Sequence, residues 1–146
     1  MFIKIPIMRL HIAPNKLISS IQAEFTNEFP FLKLEFFSKK ALLTGDYSAS
    51  QLVPGEKKIG DIQGIITDGL VEIDGEMKVK ELEDHLKNEF NVAAQVFRKS
   101  GNLWLETTMT DNWTLNQQTK HGQELSTGIN YNEEASDYDL NRDAAH

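Results

Sequence analysis

Apolar and polar positions alternate with period two over residues 2–12 (FIKIPIMRLHI), the spacing of a half-buried strand. Ile3, Ile5 and Ile7 share one face, and Met8, Leu10 and Ile12 then take over on the opposite parity. A slip of one residue is what a β-bulge produces. Pro6 has no N–H to give to a ladder, so it belongs at an open edge or beside that bulge. Pro14 ends the strand, and Asn15 suits a helix N-cap. Leu17, Ile18, Ile21, Phe25 and Phe29 then form one apolar helix face over 16–29. Pro30 stops the helix, because the residue before proline avoids the α region. Residues 31–37 (FLKLEFF) follow as a strand with Leu32, Leu34 and Phe36 inward.

The same order returns 61 residues later. Residues 70–74 (LVEID) read as a strand closed by the turn Asp74-Gly75. Residues 78–90 place Val79, Leu82, Leu86 and Phe90 on one helix face, and 92–98 (VAAQVFR) form the next strand. Both helices end in Asn-Glu-Phe, at 27–29 and at 88–90. Two readings stand: duplication of a strand–helix–strand unit, or two helices that solve one packing problem alike.

Ser100-Gly101 marks a hairpin that joins 92–99 to 102–108 (NLWLETT). Thr114 with Gln117 three residues on spells a capping box, which predicts a short helix over about 115–123. Its apolar face is thin: Leu115, with Trp113 before it and Leu125 after it. Between the halves, Ser38 to Gly69 carries five glycines (45, 55, 60, 64 and 69), Pro54 and Lys39, Lys40, Lys57 and Lys58. It reads as a long loop, with a short extra strand over 59–66 as an option. From Ser126 onward the apolar residues thin to Ile129, Tyr131, Tyr138 and Leu140. Such a segment buries too little surface to offset its ordering entropy.

These elements predict an α+β two-layer sandwich. Their order fits a ferredoxin-like β-α-β-β-α-β arrangement with an extra C-terminal helix. A β-grasp-like second half, wrapped around the helix at 78–90, is the alternative. The expected organisation is one domain over 1–125 and an acidic, disordered tail over 126–146.

Composition narrows the chemistry. The chain has 146 residues and no cysteine, so disulfides, thiolate metal sites and cysteine nucleophiles are excluded. No apolar run is long enough for a membrane span, and the expected setting is cytoplasmic. The net charge of −7 is uneven: residues 1–60 carry a small basic surplus, while 61–91 and 126–146 are acidic. A net acidic chain is steered away from nucleic acid and anionic membranes.

No metal or cofactor is called for. His11, His85, His121 and His146 lack ligand spacing with carboxylates. Asp68, Glu72, Asp74 and Glu76 do not scan as a calcium loop, and read as a solvent-facing strand and turn. Gly60, Gly64 and Gly69 lack the Lys-Ser/Thr of a P-loop. Phe36, Phe37, Lys39 and Lys40 mix aromatics with cations as single-strand nucleic-acid platforms do, with Phe37 at most displayed.

The hairpin carries the candidate site. Leu103, Leu105 and Thr107 share one face, and Trp104, Glu106 and Thr108 the other, with Arg98 or Lys99 expected across from it. Arg98, Trp104, Glu106, Thr108 and Trp113 are therefore the candidate binding residues, and none is assigned to catalysis. The first functional reading is a non-catalytic protein–protein interaction module of a cytoplasmic assembly. It would dock a protein partner through 102–113, the loop 38–69, or both, with homo-oligomerisation left open. The alternative is a small-molecule-binding domain or modest enzyme that uses the Arg, Glu and Thr side chains of the hairpin. Nucleic-acid binding ranks last.

Overall fold

Strand β1 (Ile7–Ile12) runs antiparallel to β3 (Gly69–Asp74), with Leu10 opposite Val71. Strand β2 (Leu32–Phe37) runs antiparallel to β4 (Ala93–Ser100), with Leu34 opposite Val96, and β4 continues into β5 (Leu103–Glu106). The computed structural model describes residues 7–63 and 67–127. The expected bulge and Pro6, and the tail beyond Thr127 with Tyr131 and Tyr138, lie outside the described residues.

The fold is α+β, with two antiparallel sheets and five helices among the described residues. The pairing does not establish the ferredoxin-like order, which would place four strands in one sheet. Here the order is β1-β3 in one sheet and β2-β4-β5 in the other. Among the described residues, strands of the first half therefore pair only with strands of the second.

Helices α1 (Ile18–Glu28) and α4 (Val79–Phe90) bury the stripes expected from sequence: Ile18, Ile21 and Phe25 in one, Val79, Leu82, Leu86 and Phe90 in the other. Leu17 rather than Asn15 precedes the first turn of α1. Asn91 follows α4 in the left-handed conformation (φ 57°), a common helix stop. Gly101 (φ 62°) makes the β4–β5 turn, where a side chain would be strained.

Segment 38–69 is more ordered than a loop. It holds α2 (Lys39–Thr44), a 3₁₀ turn (Ala49–Gln51) and α3 (Ile59–Gln63). The optional strand over 59–66 is corrected to a helix at its start, because Ile59 and Ile62, three residues apart, both turn to the core. Helix α5 (Leu115–Thr127) runs past the expected end and takes in Ser126 and Thr127, assigned above to the tail. Its predicted capping box is present: Gln117 N–H donates to Thr114 Oγ1 (3.1 Å), and Thr114 N–H to Gln117 Oε1 (2.8 Å).

One apolar cluster runs through both halves, from Leu10, Ile12 and Ile21 to Leu82, Val96 and Leu115. Helix α2 closes the reverse face of β2 and β4 with a smaller cluster of Phe37, Ala41 and Ala93. No helix among the described residues is long and apolar enough to cross a membrane.

Candidate functional site

The register of the β4–β5 hairpin decides which candidate residues meet. Residues directly opposite in an antiparallel pair share a face. Arg98 lies opposite Leu105, Lys99 opposite Trp104, and Phe97 opposite Glu106. The hairpin therefore sends Arg98 to the inner side and Trp104 and Glu106 to the outer side. Of the two cations expected near Trp104, Lys99 is the one on its face.

On the inner side, Arg98 is 1% exposed beneath α5. Its Nη1 donates to Gln118 Oε1 (2.9 Å). Gln118 Nε2 donates in turn to the Thr110 carbonyl (2.9 Å) and to Thr110 Oγ1 (2.8 Å). The guanidinium lies 5.9 Å from the centroid of Trp113, and His121 meets that indole edge-on at 5.6 Å. Trp113 thus fills the space between a buried cation and the last helix. Gly122 lets α5 come this close: a Cβ there would meet Arg98 Cγ and Phe31 Cβ at 3.1 Å.

A second, partly buried polar group sits midway along β4. The Val96 N–H donates to Glu83 Oε2 (2.9 Å), and Thr107 Oγ1 donates to the Val96 carbonyl (2.7 Å). These side chains stand in for ladder partners where β5 has ended. Burial pushes the Glu83 carboxyl up to about 7. The Val96 N–H opposes that rise, and Asp111 and Asp84 add to it. Burial, with the charges of Glu83 and Asp84, raises the Tyr47 phenol as well.

The outer side is covered by the α2 cluster as far as Phe97 and is exposed at Glu106 and Thr108. Lys33 Nζ stands 5.7 Å from the centre of the Trp104 ring and 3.5 Å from Glu35. Trp104 and Phe97 are half-buried there, while Glu106 and Thr108 are exposed and joined by a long contact (3.4 Å). The hairpin thus brings Trp104, Glu106 and Thr108 to the outer side and sets Arg98 and Trp113 in the packing beneath α5. The Arg–Glu–Thr combination needed by a small-molecule site is not assembled on one face.

Phe37 corrects the expectation of display. It is 1% exposed, covered by α2 and edge-on to Tyr47 at 5.1 Å, so no aromatic–lysine platform forms at 36–40. The acidic run at 68–76 is used in surface pairing: Asp68 with His11 (2.7 Å), Glu72 with Arg9 (3.5 Å), and Asp74 with the Glu76 N–H (2.8 Å). Among the described residues, no three His, Asp or Glu side chains group to hold a metal ion.

The sequence reading did not single out Glu83, Thr107, Thr110 or Gln118. One signal was present for Gln118: α5 has so few apolar residues that any face it turns inward must bury polar ones. Comparison with known protein families, curated proteins and solved structures finds no match to this chain.

Proposed function

We propose that the chain is a non-catalytic protein-interaction module of a cytoplasmic assembly, and that its partner lays an extended segment along β5. The observation that carries this reading is the position of β5. It ends the three-stranded sheet, and among the described residues no strand lies on its outer side. An unpaired edge presents a row of backbone donors and acceptors to an extended chain. Four residues of edge supply few such bonds, so side chains must add affinity. Leu103 and Met109 flank that edge at 65% and 70% exposure. The other expected docking surface, 38–69, contributes Leu43 of α2, which is 73% exposed.

The test is capture of the partner from the native cell extract by the full-length chain, beside the double variant Leu103→Glu/Met109→Glu. A stoichiometric partner retained by the parent and reduced at least about tenfold by the variant supports the reading, since hot spots of this kind carry 1.4 kcal/mol or more. The variant should melt within about 2 °C of the parent, because both side chains are already in water. Equal recovery by the two proteins would overturn it.

A further inference from the structure

The two halves share more than an order of elements. In the first, four backbone bonds tie the start of α1 to the start of α3: Ile18 N–H to Lys57 O, Ser19 N–H to Gly55 O, Ile59 N–H to Lys16 O, and Gly60 N–H to Pro14 O. In the second, four bonds tie α4 to α5: Val79 to Trp113, Lys80 to Asp111, Leu115 to Met77, and Asn116 to Gly75. Each bond of the second set is a bond of the first moved by 61 residues on the α1 side and 56 on the α3 side. An isolated bridge lies at the centre of each set, Leu17 with Lys58 and Lys78 with Thr114.

The core follows the same offset. Ile12, Ile18, Ile21, Phe25 and Phe29 correspond to Ile73, Val79, Leu82, Leu86 and Phe90, and all ten are buried. Leu10 and Val71, 61 apart, face each other directly across the β1–β3 pair. Antiparallel pairing of equivalent residues is the mark of a local two-fold axis. Helix α4 is one residue longer than α1, so the offset becomes 62 in the next strand, where Leu34 faces Val96. Equivalent helix positions even serve these two strand residues: Gln22 Nε2 donates to Leu34 O (2.8 Å), and Glu83 accepts from Val96 N–H.

One contact shows how each half reaches the same geometry with different residues. A Cβ on Gly60 would fall 2.7 Å from Pro14 O and 2.9 Å from Pro14 Cβ. At the corresponding place, Gly75 lies against the Asn116 side chain. The first half has a side chain at 14 and glycine at 60. The second has glycine at 75 and a side chain at 116. The contact holds one side chain, and the two halves keep it on opposite members.

We infer that the chain is two fused copies of one β-α-β-α unit that recognise each other by exchanging strands, so the partner this mutual surface fits is a second copy of the unit. Each sheet joins strands of both units, β1 with β3 and β2 with β4, and the second unit adds β5 at the edge of the larger sheet. The closed two-fold contact is that of an isologous dimer, in which one patch meets its own copy.

Two experiments on the full chain test this. The first introduces a specific protease site between Gln63 and Thr67 and cleaves the folded protein. The fragments should elute together at the size of the intact chain. They should melt in one transition whose midpoint falls on dilution, because association of two pieces makes stability depend on concentration. Fragments that separate, or one that keeps its fold while the other loses it, would overturn mutual recognition.

The second writes the contact of the second half into the first. Gly60→Asn should lower the melting temperature by about 5 °C or more. Pro14→Gly/Gly60→Asn should recover at least about half of that drop relative to Pro14→Gly alone, the coupling expected of residues in contact. If Gly60→Asn does not fold, Gly60→Ala replaces it in the same cycle. Additive losses would overturn the equivalence of the two halves.

Discussion

At the residue scale, Glu83 is the carboxyl that burial moves furthest from its ordinary behaviour among the described residues. Its carboxyl titrates near 7 in the fold against an ordinary 4.5. Below pH 4.5 it is protonated whether the chain is folded or not, and its burial carries no charge penalty. Between pH 4.5 and 7 the unfolded chain ionises this carboxyl while the folded one keeps its proton, so stability falls by about 2–3 kcal/mol over that window and levels off above it. Urea unfolding from pH 5 to pH 8 should show this loss. Glu83→Gln keeps an acceptor for the Val96 N–H and should flatten the slope.

The two tryptophans separate in the same way. Trp113→Ala removes a ring that is also half-buried but touches both Arg98 and His121, and should cost about 2 kcal/mol. Trp104→Ala removes a half-buried ring on the outer face and should cost about 1 kcal/mol. Thermal melts of both variants check the contrast, which makes only Trp104 a usable probe of binding. The positions equivalent to Arg98 and Gln118 in the first half are Phe36 and Ile62, both apolar. The second half thus has a hydrogen-bonded pair where the first has an apolar one. A buried polar pair of this kind fixes how α5 seats on β4 only while both members are present.

At the element scale, local signals worked where a turn or cap spells itself. The hairpin at Ser100-Gly101 and the box at Thr114 and Gln117 sit where the residues placed them. Thr114→Ala should cost about 1 kcal/mol, measured by chemical denaturation, since it leaves the first-turn N–H of Gln117 without its acceptor. The helices α1 and α4 were legible because each buries a full 3.6-period stripe. Segment 38–69 was not, because α2 and α3 are too short to show a period and are held by tertiary contact: Ile59 by the core, Ala41 by Phe37 and Ala93. The candidate site was half legible for a related reason. Alternation told which hairpin residues share a face, but only the pairing register told which face Arg98 joins.

At the scale of the whole molecule, the exchange of strands ties the two halves into one core. The amides of Ser19, Gly60, Lys80 and Asn116 each close one of the two helix-start knots. All four should be protected from hydrogen exchange with free energies within about 1 kcal/mol of one another, because neither knot opens without the other. Exchange followed by NMR reads this directly, and early opening of one pair would show two separate units. The equivalence of the halves was hinted at in the sequence by Asn-Glu-Phe at 27–29 and 88–90, but three residues carry little weight. The backbone bonds carried it, and bonds of that kind involve no side chain that a sequence comparison reads.

The exchanged strands also set an order for events during synthesis. β1 has no partner strand until residues 69–74 have left the ribosome, and β2, which bridges only Leu52 and Val53 within the first half, has none until 93–98 have. At roughly 5–20 residues per second, the 61 residues that separate Leu10 from Val71 take about 3–12 s to make. For that interval the apolar cluster of Ile12, Ile18, Ile21 and Phe25 lacks its second-half members, among them Val71, Ile73, Leu82 and Val96. A nascent chain of this design spends its vulnerable seconds in the first half, and that half is where a chaperone would find it.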